Sequence, residues 1–395
     1  MLIKNVKVFP LSCSMEKPIM DSFCYTDQRN IVLIKIETDE GLAGYGEAAS
    51  YGGSLYAVTT VVEKELKPLL IGEDPCLREK LWQKMYKKYY QHGRGGILIG
   101  AMSGVDIALW DLIGKIANIP VYKLLGGYTN RVRAYASCGF YVEGEGLKEL
   151  TSEMKKVVQR GFTAVKMKVG RTSTVPNSKL SILPHGNCCD VSLQEDINRV
   201  KSVREAIGEN IDLLIDANNG WDSETAIKMA KNLEKYNIYY IEEPVLTEDI
   251  EGSAKLAAAT TIPIAGYETA YTKYEFKDLI TRKAVDIVQP DAVWAGGISE
   301  CMKIAAMAGS YNLPIIPHCF SSAVCLAANL HFVASIPNGE LIELDVNRNP
   351  FREELIEEDI DIDSEGYINM SNKPGLGITI NEEVIKKYII SEKFL

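Results

Sequence analysis

Residues 211–243, IDLLIDANNGWDSETAIKMAKNLEKYNIYYIEE, decide the fold. An apolar run ends in Asp216, a stretch of helical periodicity covers 223–236, and a second apolar run ends in Glu242. Outward from here the arrangement repeats. Glu268 follows IPIAGY, Asp291 follows DIVQP, His318 follows LPIIP and Glu343 closes ELIE, so the steps from Asp216 are 26, 26, 23, 27 and 25 residues. Upstream, Lys166 and Lys168 lie in TAVKMKV, a run of the same kind. A strand–helix unit takes about that length, and the sites of (β/α)8 barrels are assembled from the ends of successive strands. The spacing therefore predicts an α/β barrel and the place of its site.

Apolar runs at 132–138, 163–169, 211–216, 238–243, 262–266, 285–289, 313–317 and 340–344 read as strands. Amphipathic stretches at 195–207, 223–236, 250–259, 272–282 and 297–310 read as helices between them. Such alternation predicts parallel strands with helices outside. Before it, IVLIKIE (31–37), a TDEGL turn and AGYGEA form a hairpin signal, followed by helices at about 55–70, 76–91 and 98–116. The domains expected are an N-terminal α+β domain (1–128), the barrel (129–345) and a turn-rich C-terminal segment (346–395) that packs back on the first. One stretch breaks the rhythm: 171–194 is rich in Ser, Pro, Asn and Gly. A loop of that length is either a surface insertion or a lid that carries specificity.

At 395 residues the chain is long enough for two to three domains. With 43 basic against 53 acidic residues its formal charge is −10 and no basic cluster stands out, which disfavours nucleic-acid binding. No stretch of about 18 uncharged apolar residues occurs, so no membrane partner is expected. Nine scattered cysteines without a CxxC pair give no support for zinc and predict free thiols in a reducing cytoplasm. Cys319 and Cys325 lie near the proposed site but could equally be small apolar packers.

Asp216, Glu242 and Glu268 stand at three adjacent strand ends, where their carboxylates would converge. Like charges at close range cannot all stay ionised without compensation. An oxygen-only donor set of this kind suits a hard divalent cation, Mg2+ above all, because it keeps positions for water and substrate. Taken singly, each acid could instead cap a helix or pair with a surface lysine. Lys166 and Lys168, two apart on a strand, share a face. Each ammonium disfavours protonation of the other, which predicts that one is lowered toward a usable base; the alternative is a solvated strand end. Asp291 and His318 lie on neighbouring strand ends, and a carboxylate bonded to an imidazole fixes its tautomer for general acid–base work. A purely structural histidine is the alternative. Glu343, one strand on, either hydrogen-bonds beside developing charge or is structural. Together these residues describe a metal holding a substrate carboxylate, with a lysine on one side and a histidine on the other. The reaction class that follows is proton abstraction next to a carboxylate, with the enolate stabilised more than the ground state.

The motifs IETDEGLAGYGEA, SGVDIALWDLIGKIANIPVYKLLGG, VKMKVG, LLIDANNGW, YIEEPV, IAGYET, VQPDAVWAGGISE, IIPHCF and NPFREEL span nearly the whole chain. In them the chain resembles the enolase superfamily, and within it the acid-sugar-active, mandelate racemase-like branch of the mandelate racemase/muconate lactonizing enzyme family. The superfamily's metal-plus-base design is an established pattern. The resemblance implies an α/β fold: a modified TIM barrel, (β/α)7β, with an α+β capping domain formed from N-terminal and C-terminal segments. It implies Lys168 as the base, Lys166 beside the substrate carboxylate, and Asp216, Glu242 and Glu268 as Mg2+ ligands. It further implies Asp291–His318 as an acid–base dyad, Glu343 as the late strand acid and Asn218 as a substrate contact. Loops at Met20–Arg29 and near Gly52 would close over the substrate, while the length of 171–194 departs from the family pattern. The function implied is dehydration of an aldonic or aldaric acid by a cytoplasmic homo-oligomer. Cycloisomerisation or racemisation/epimerisation of a sugar acid is the alternative, and a metal-binding protein without turnover the remote one.

Overall fold

The alternation around Ile31–Glu37 becomes the middle of a three-stranded antiparallel sheet in the computed structural model, which describes residues 1–51, 53, 55–171 and 191–394. Its strands are β1 (Ile3–Met20), β2 (Tyr25–Thr38) and β3 (Ala43–Ala48), in that order. Side chains on a strand alternate between faces, and β2 buries both. Ile31 and Leu33 join the core shared with the barrel. Val32, Ile34 and Ile36 join a second core under the helix Ile97–Ala117. That helix is long and apolar enough to cross a membrane, yet 78% of its most apolar window is buried inside the protein. It presses on β3 at two glycines: a Cβ on Gly46 would sit 2.1 Å from the Gly104 carbonyl oxygen, and one on Gly44 would sit 2.2 Å from that of Ala108. The helix expected over 55–70 is divided into Leu55–Thr60, a π-helical Val61–Leu66 and Lys67–Leu70. Pro68, which has no N–H for the helical ladder, lies just past the widened turn.

The barrel strands are β4 (Arg131–Ser137), β5 (Ala164–Lys168), β6 (Asp212–Asp216), β7 (Ile238–Glu242), β8 (Ile264–Gly266), β9 (Ile287–Val288) and β10 (Leu341–Asp345). Neighbours from β4 to β9 run parallel, and β10 closes on β4 with Leu341 opposite Arg133. The strand expected at 313–317 is reduced to bridges from Ile315 to Val288 and Gly339. Pro314 and Pro317 flank it, and a residue without an N–H cannot donate to a ladder. Helices at Leu147–Gln159, Leu193–Ile207, Ser223–Leu233, Ile250–Ala257, Thr272–Thr281, Ile298–Ser310 and Ala323–Val333 follow the strands. Inside, Tyr135, Ala164, Leu214, Tyr240, Ala265, Ile287, Ile316 and Leu341 form an apolar floor.

Capping sheet and barrel are joined by polar contacts. The Asp106 carboxylate accepts the Ser299 N–H at 2.9 Å, in the first turn of the helix Ile298–Ser310. Arg29 Nη2 stands 2.9 Å from Asp345 Oδ2, with both side chains buried. Glu47 accepts the Ser321 and Ser322 hydroxyls and the Cys325 N–H. The C-terminal segment touches both parts. β11 (Tyr367–Asn369) pairs antiparallel with the start of β4, Leu376 N–H donates to Asp111 Oδ1 at 2.9 Å, and Ile389 bridges to Leu11 of β1.

The segment read as a lid or a surface insertion lies, from 172 to 190, outside the described residues, as does Gly52. The ends of the segment meet, with Val191 N–H donating to the Arg171 carbonyl at 2.9 Å. Of the Met20–Arg29 stretch, Asp21–Cys24 forms the turn, and β2 has begun by Tyr25.

Candidate active site

Two residues along from the apolar floor, the period-two alternation of a strand returns a side chain to the barrel interior. From Ala164, Leu214, Tyr240, Ile316 and Leu341 that step lands on Lys166, Asp216, Glu242, His318 and Glu343. Lys168 stands one further step up β5. Asp291 lies four residues past Ile287 and Glu268 three past Ala265.

Lys166 Nζ is 2.6 Å from Glu242 Oε1, 3.0 Å from Glu343 Oε1 and 3.6 Å from Asp216 Oδ2. Lys168 donates to the same Asp216 oxygen. On the far flank, His318 Nδ1 is 2.8 Å from Asp291 Oδ2, and its Nε2 is 3.2 Å from Glu268 Oε2. Glu343 Oε2 accepts the Cys319 N–H at 2.8 Å. Asn218 donates its N–H to Asp216 Oδ1 at 2.9 Å, and its side-chain Oδ1 is buried without a protein partner. All nine residues singled out in the sequence thus fall in one cluster. Above it lies a cavity of about 870 Å³, reached from the barrel by Lys168, Asn218, Glu268 and His318. Asp21, Gln28, Arg29 and Asn30 line it from the capping sheet beside Phe23 and Ile31, so groups that can meet hydroxyls stand among apolar side chains.

The electrostatics correct one expectation. Neither lysine is lowered. Burial works against the ammonium of Lys166, but Glu242, Glu343 and Asp216 outweigh it and hold its pKa well above that of a free lysine. Burial is likewise overcome at Lys168, chiefly by Asp216, and its pKa is also raised. The repulsion between the two ammonium groups is real but smaller than the pull of carboxylates from other strands. Burial opposes charge on His318 too, yet Glu268, Glu343 and Asp291 hold its imidazole well above the ordinary range.

The acids divide. Lys168 and Lys166 overcome burial at Asp216, and Lys166 and His318 do so at Glu343; both are lowered. Glu242, Glu243 and Glu268 are raised, first by burial and then by neighbouring carboxylates that the cations do not fully offset. This acid cluster is short of positive charge, and an oxygen-only donor set in that condition fits a hard divalent cation. Among the described residues no group of three His, Cys, Asp or Glu side chains is arranged to hold a metal ion as it stands. Asp216 and Glu242 are turned onto the ammonium groups and Glu268 onto His318.

The sequence reading missed three participants. Glu243 accepts Asn219 Nδ2 at 2.7 Å and the Glu268 N–H at 3.2 Å; the doubled acid in YIEEPV is the signal that could have found it. Asn329 Nδ2 donates to Asp291 Oδ1 at 3.0 Å, and Tyr51 reaches Asp291 from the cap. Neither has a local sequence signal.

A capped barrel with lysines, carboxylates and a histidine gathered at the mouth of its strands is the architecture of an enolase-like enzyme. Comparison with known proteins narrows the class. Residues 3–126 match the family model "Mandelate racemase / muconate lactonizing enzyme, N-terminal domain", and 149–384 match "Enolase C-terminal domain-like". The chain belongs to the mandelate racemase/muconate lactonizing enzyme family of the enolase superfamily. It is 44% identical over 358 residues to an arabinonate dehydratase of Saccharolobus solfataricus, covering 91% of this chain and 90% of the relative. It is 33% identical over 398 residues to a D-galactarolactone cycloisomerase of Agrobacterium fabrum, covering 98% and 99%. Among solved structures, a racemase from Streptomyces coelicolor A3(2) with bound magnesium is 29% identical, with a TM-score of 0.87 and coverage of 98% and 100%.

Proposed function

We propose that the chain is a Mg2+-dependent dehydratase of an aldonic or aldaric acid, working through an enolate. The observation that carries this is the placement of Lys168 and His318. They flank three carboxylates borne by the strands between them and open on the same cavity. Asp216, Glu242 and Glu268 would hold the cation, which when bound supplies positive charge against the substrate carboxylate and its enolate. Lys166, kept as an ammonium by Glu242 and Glu343, adds a fixed charge on the same side. Lys168, freed of the Asp216 carboxylate that raises its pKa, would shed its proton to solvent and, as the neutral amine, take the α-proton. His318, held protonated, gives its Nε2 proton to the departing 3-hydroxyl, while Asp291 keeps Nδ1 in place. Asn218 Oδ1, a buried acceptor without a partner, takes a substrate hydroxyl. The names of the two curated relatives support an acid-sugar substrate, and the cycloisomerase among them keeps isomerisation of the same enolate as the second reading.

The seven described cysteines are free, Cys319 and Cys325 standing 3.7 Å apart without a bond, which suits a cytoplasmic enzyme. The homo-oligomer we expect has exposed Tyr90 and Tyr274, both beside Tyr86, as apolar surface.

Incubation with Mg2+ and a panel of aldonic and aldaric acids in deuterated water tests the reading. A product lighter by one water marks a dehydratase, and deuterium uptake at unchanged mass marks an isomerase. If no member of the panel exchanges its α-proton, the enzyme reading of the site fails.

A further inference from the structure

Just past β3 the chain crosses from the capping sheet to the barrel. Ala49 N–H donates to the Val293 carbonyl at 3.1 Å, and Val293 N–H donates to Asp291 Oδ1 at 3.0 Å. Two residues on, the Tyr51 hydroxyl donates to Asp291 Oδ2 at 3.0 Å and lies 3.3 Å from His318 Nδ1. The Tyr51 ring leans on Trp294 and on the His318 imidazole, with centroids 5.2 and 5.6 Å away. Asp291 thus receives three donors on Oδ1, Val293 N–H, Asn329 Nδ2 and Cys325 Sγ, and two on Oδ2, Tyr51 and His318.

We infer that Tyr51 is a positioning residue for the acid–base dyad. Its hydroxyl, carried by the cap, fixes the Asp291 oxygen that orients His318, so the His318 half of the reaction depends on the cap being seated. The inference rests on reading Asp291–His318 as that dyad. A carboxylate with all its acceptor directions filled cannot rotate without breaking a bond, and the imidazole it holds keeps Nδ1 inward and Nε2 toward the cavity. Burial, reinforced by the charge of Asp291, holds the Tyr51 phenol well above its ordinary range, so it remains a donor. Lys168 bonds Asp216 on the other flank and shares no partner with Tyr51. Loss of the hydroxyl therefore acts on one half of the reaction only.

The test is Tyr51→Phe in the full chain with Mg2+, using arabinonate in deuterated water. Phenylalanine keeps the packing on Trp294 and removes the donor. The α-proton exchange served by Lys168 should stay within about threefold of the unchanged enzyme, while product formation falls by about tenfold or more, the loss of one hydrogen bond to a charged group. A proportional fall in both rates, or a fall in neither, overturns the inference. If the unchanged enzyme neither exchanges nor converts arabinonate, it is arabinonate as the substrate that fails. The inference is then decided on the substrate-free protein by nitrogen-15 resonances of His318. A shifted Nδ1–H signal that exchanges faster with water in Tyr51→Phe upholds it; an unchanged signal overturns it.

Discussion

Lys168 and His318 stand on opposite flanks of one carboxylate cluster, Lys168 bonded to Asp216 and His318 Nε2 lying 3.2 Å from Glu268. Each is already paired with an acid proposed to hold the metal, so the proposed base, acid and metal ligands form a single charge network. Removing either proton carrier should leave the ligands in place. Lys168→Ala and His318→Asn are each expected to lower turnover of the true substrate by about 10²–10⁴-fold, with Mg2+ binding retained in calorimetry. Full activity in either variant would remove the two-sided assignment.

Supplying the cation should relieve the crowding that raises Glu242, Glu243 and Glu268. A chelator is expected to abolish activity and Mg2+ to restore it. A ligand that binds only the native state at about 100 times its Kd adds about 2.7 kcal/mol of stability, seen as a rise in Tm. Asp216→Asn or Glu268→Gln should shrink that rise. An unchanged enzyme whose melting is indifferent to Mg2+ argues against the site.

Burial pushes the Glu47 carboxyl up to about 7, against the hydroxyls of Ser321 and Ser322. A folded-state pKa above the unfolded value means the folded form holds the proton more tightly. The stability this contributes is complete below about pH 4.5, declines above it, and is lost as pH rises through about 7. The swing is on the order of 3 kcal/mol. Denaturant titrations across that window should therefore show falling stability, and Glu47→Gln should flatten the trend. Parallel curves for the two proteins would place the pH dependence elsewhere.

Gly46 meets the helix Ile97–Ala117 at backbone, with the Gly104 oxygen 2.1 Å from where a Cβ would lie. No side-chain rearrangement relieves a clash with a carbonyl. Gly46→Ala is expected to destabilise the protein by about 1–3 kcal/mol or more, read from the urea midpoint.

The barrel was legible because its apolar floor and its chemistry alternate along the same strands, so period two carried both from one reading. Where the period fails, so did the legibility. Ala323–Val333 is buried on every side and shows no amphipathic face. β1 is an edge strand interrupted between Ser14 and Ile19 and carries Pro10 and Pro18. The lysine pKa values lie beyond a sequence reading because Asp216, Glu242 and Glu343 come from other strands, and sequence proximity shows only the Lys166–Lys168 repulsion. Tyr51 meets Asp291 across 240 residues, and nothing around it in the sequence marks the contact.

The C-terminal segment has a consequence for how the enzyme comes into being on the ribosome. Asp111 waits for the Leu376 N–H, the first strand of the ring waits for β10 and β11, and β1 waits for Ile389. The cap precedes the barrel in translation but lacks its last partners until residues 376 and 389 have been made. A nascent chain stalled before residue 340 has the lysines, the three acids proposed as ligands and the Asp291–His318 pair, yet no closed ring to hold them at these distances. Capacity for the reaction should therefore switch on late and all at once, and interrupted synthesis should yield inert fragments rather than weakly active ones.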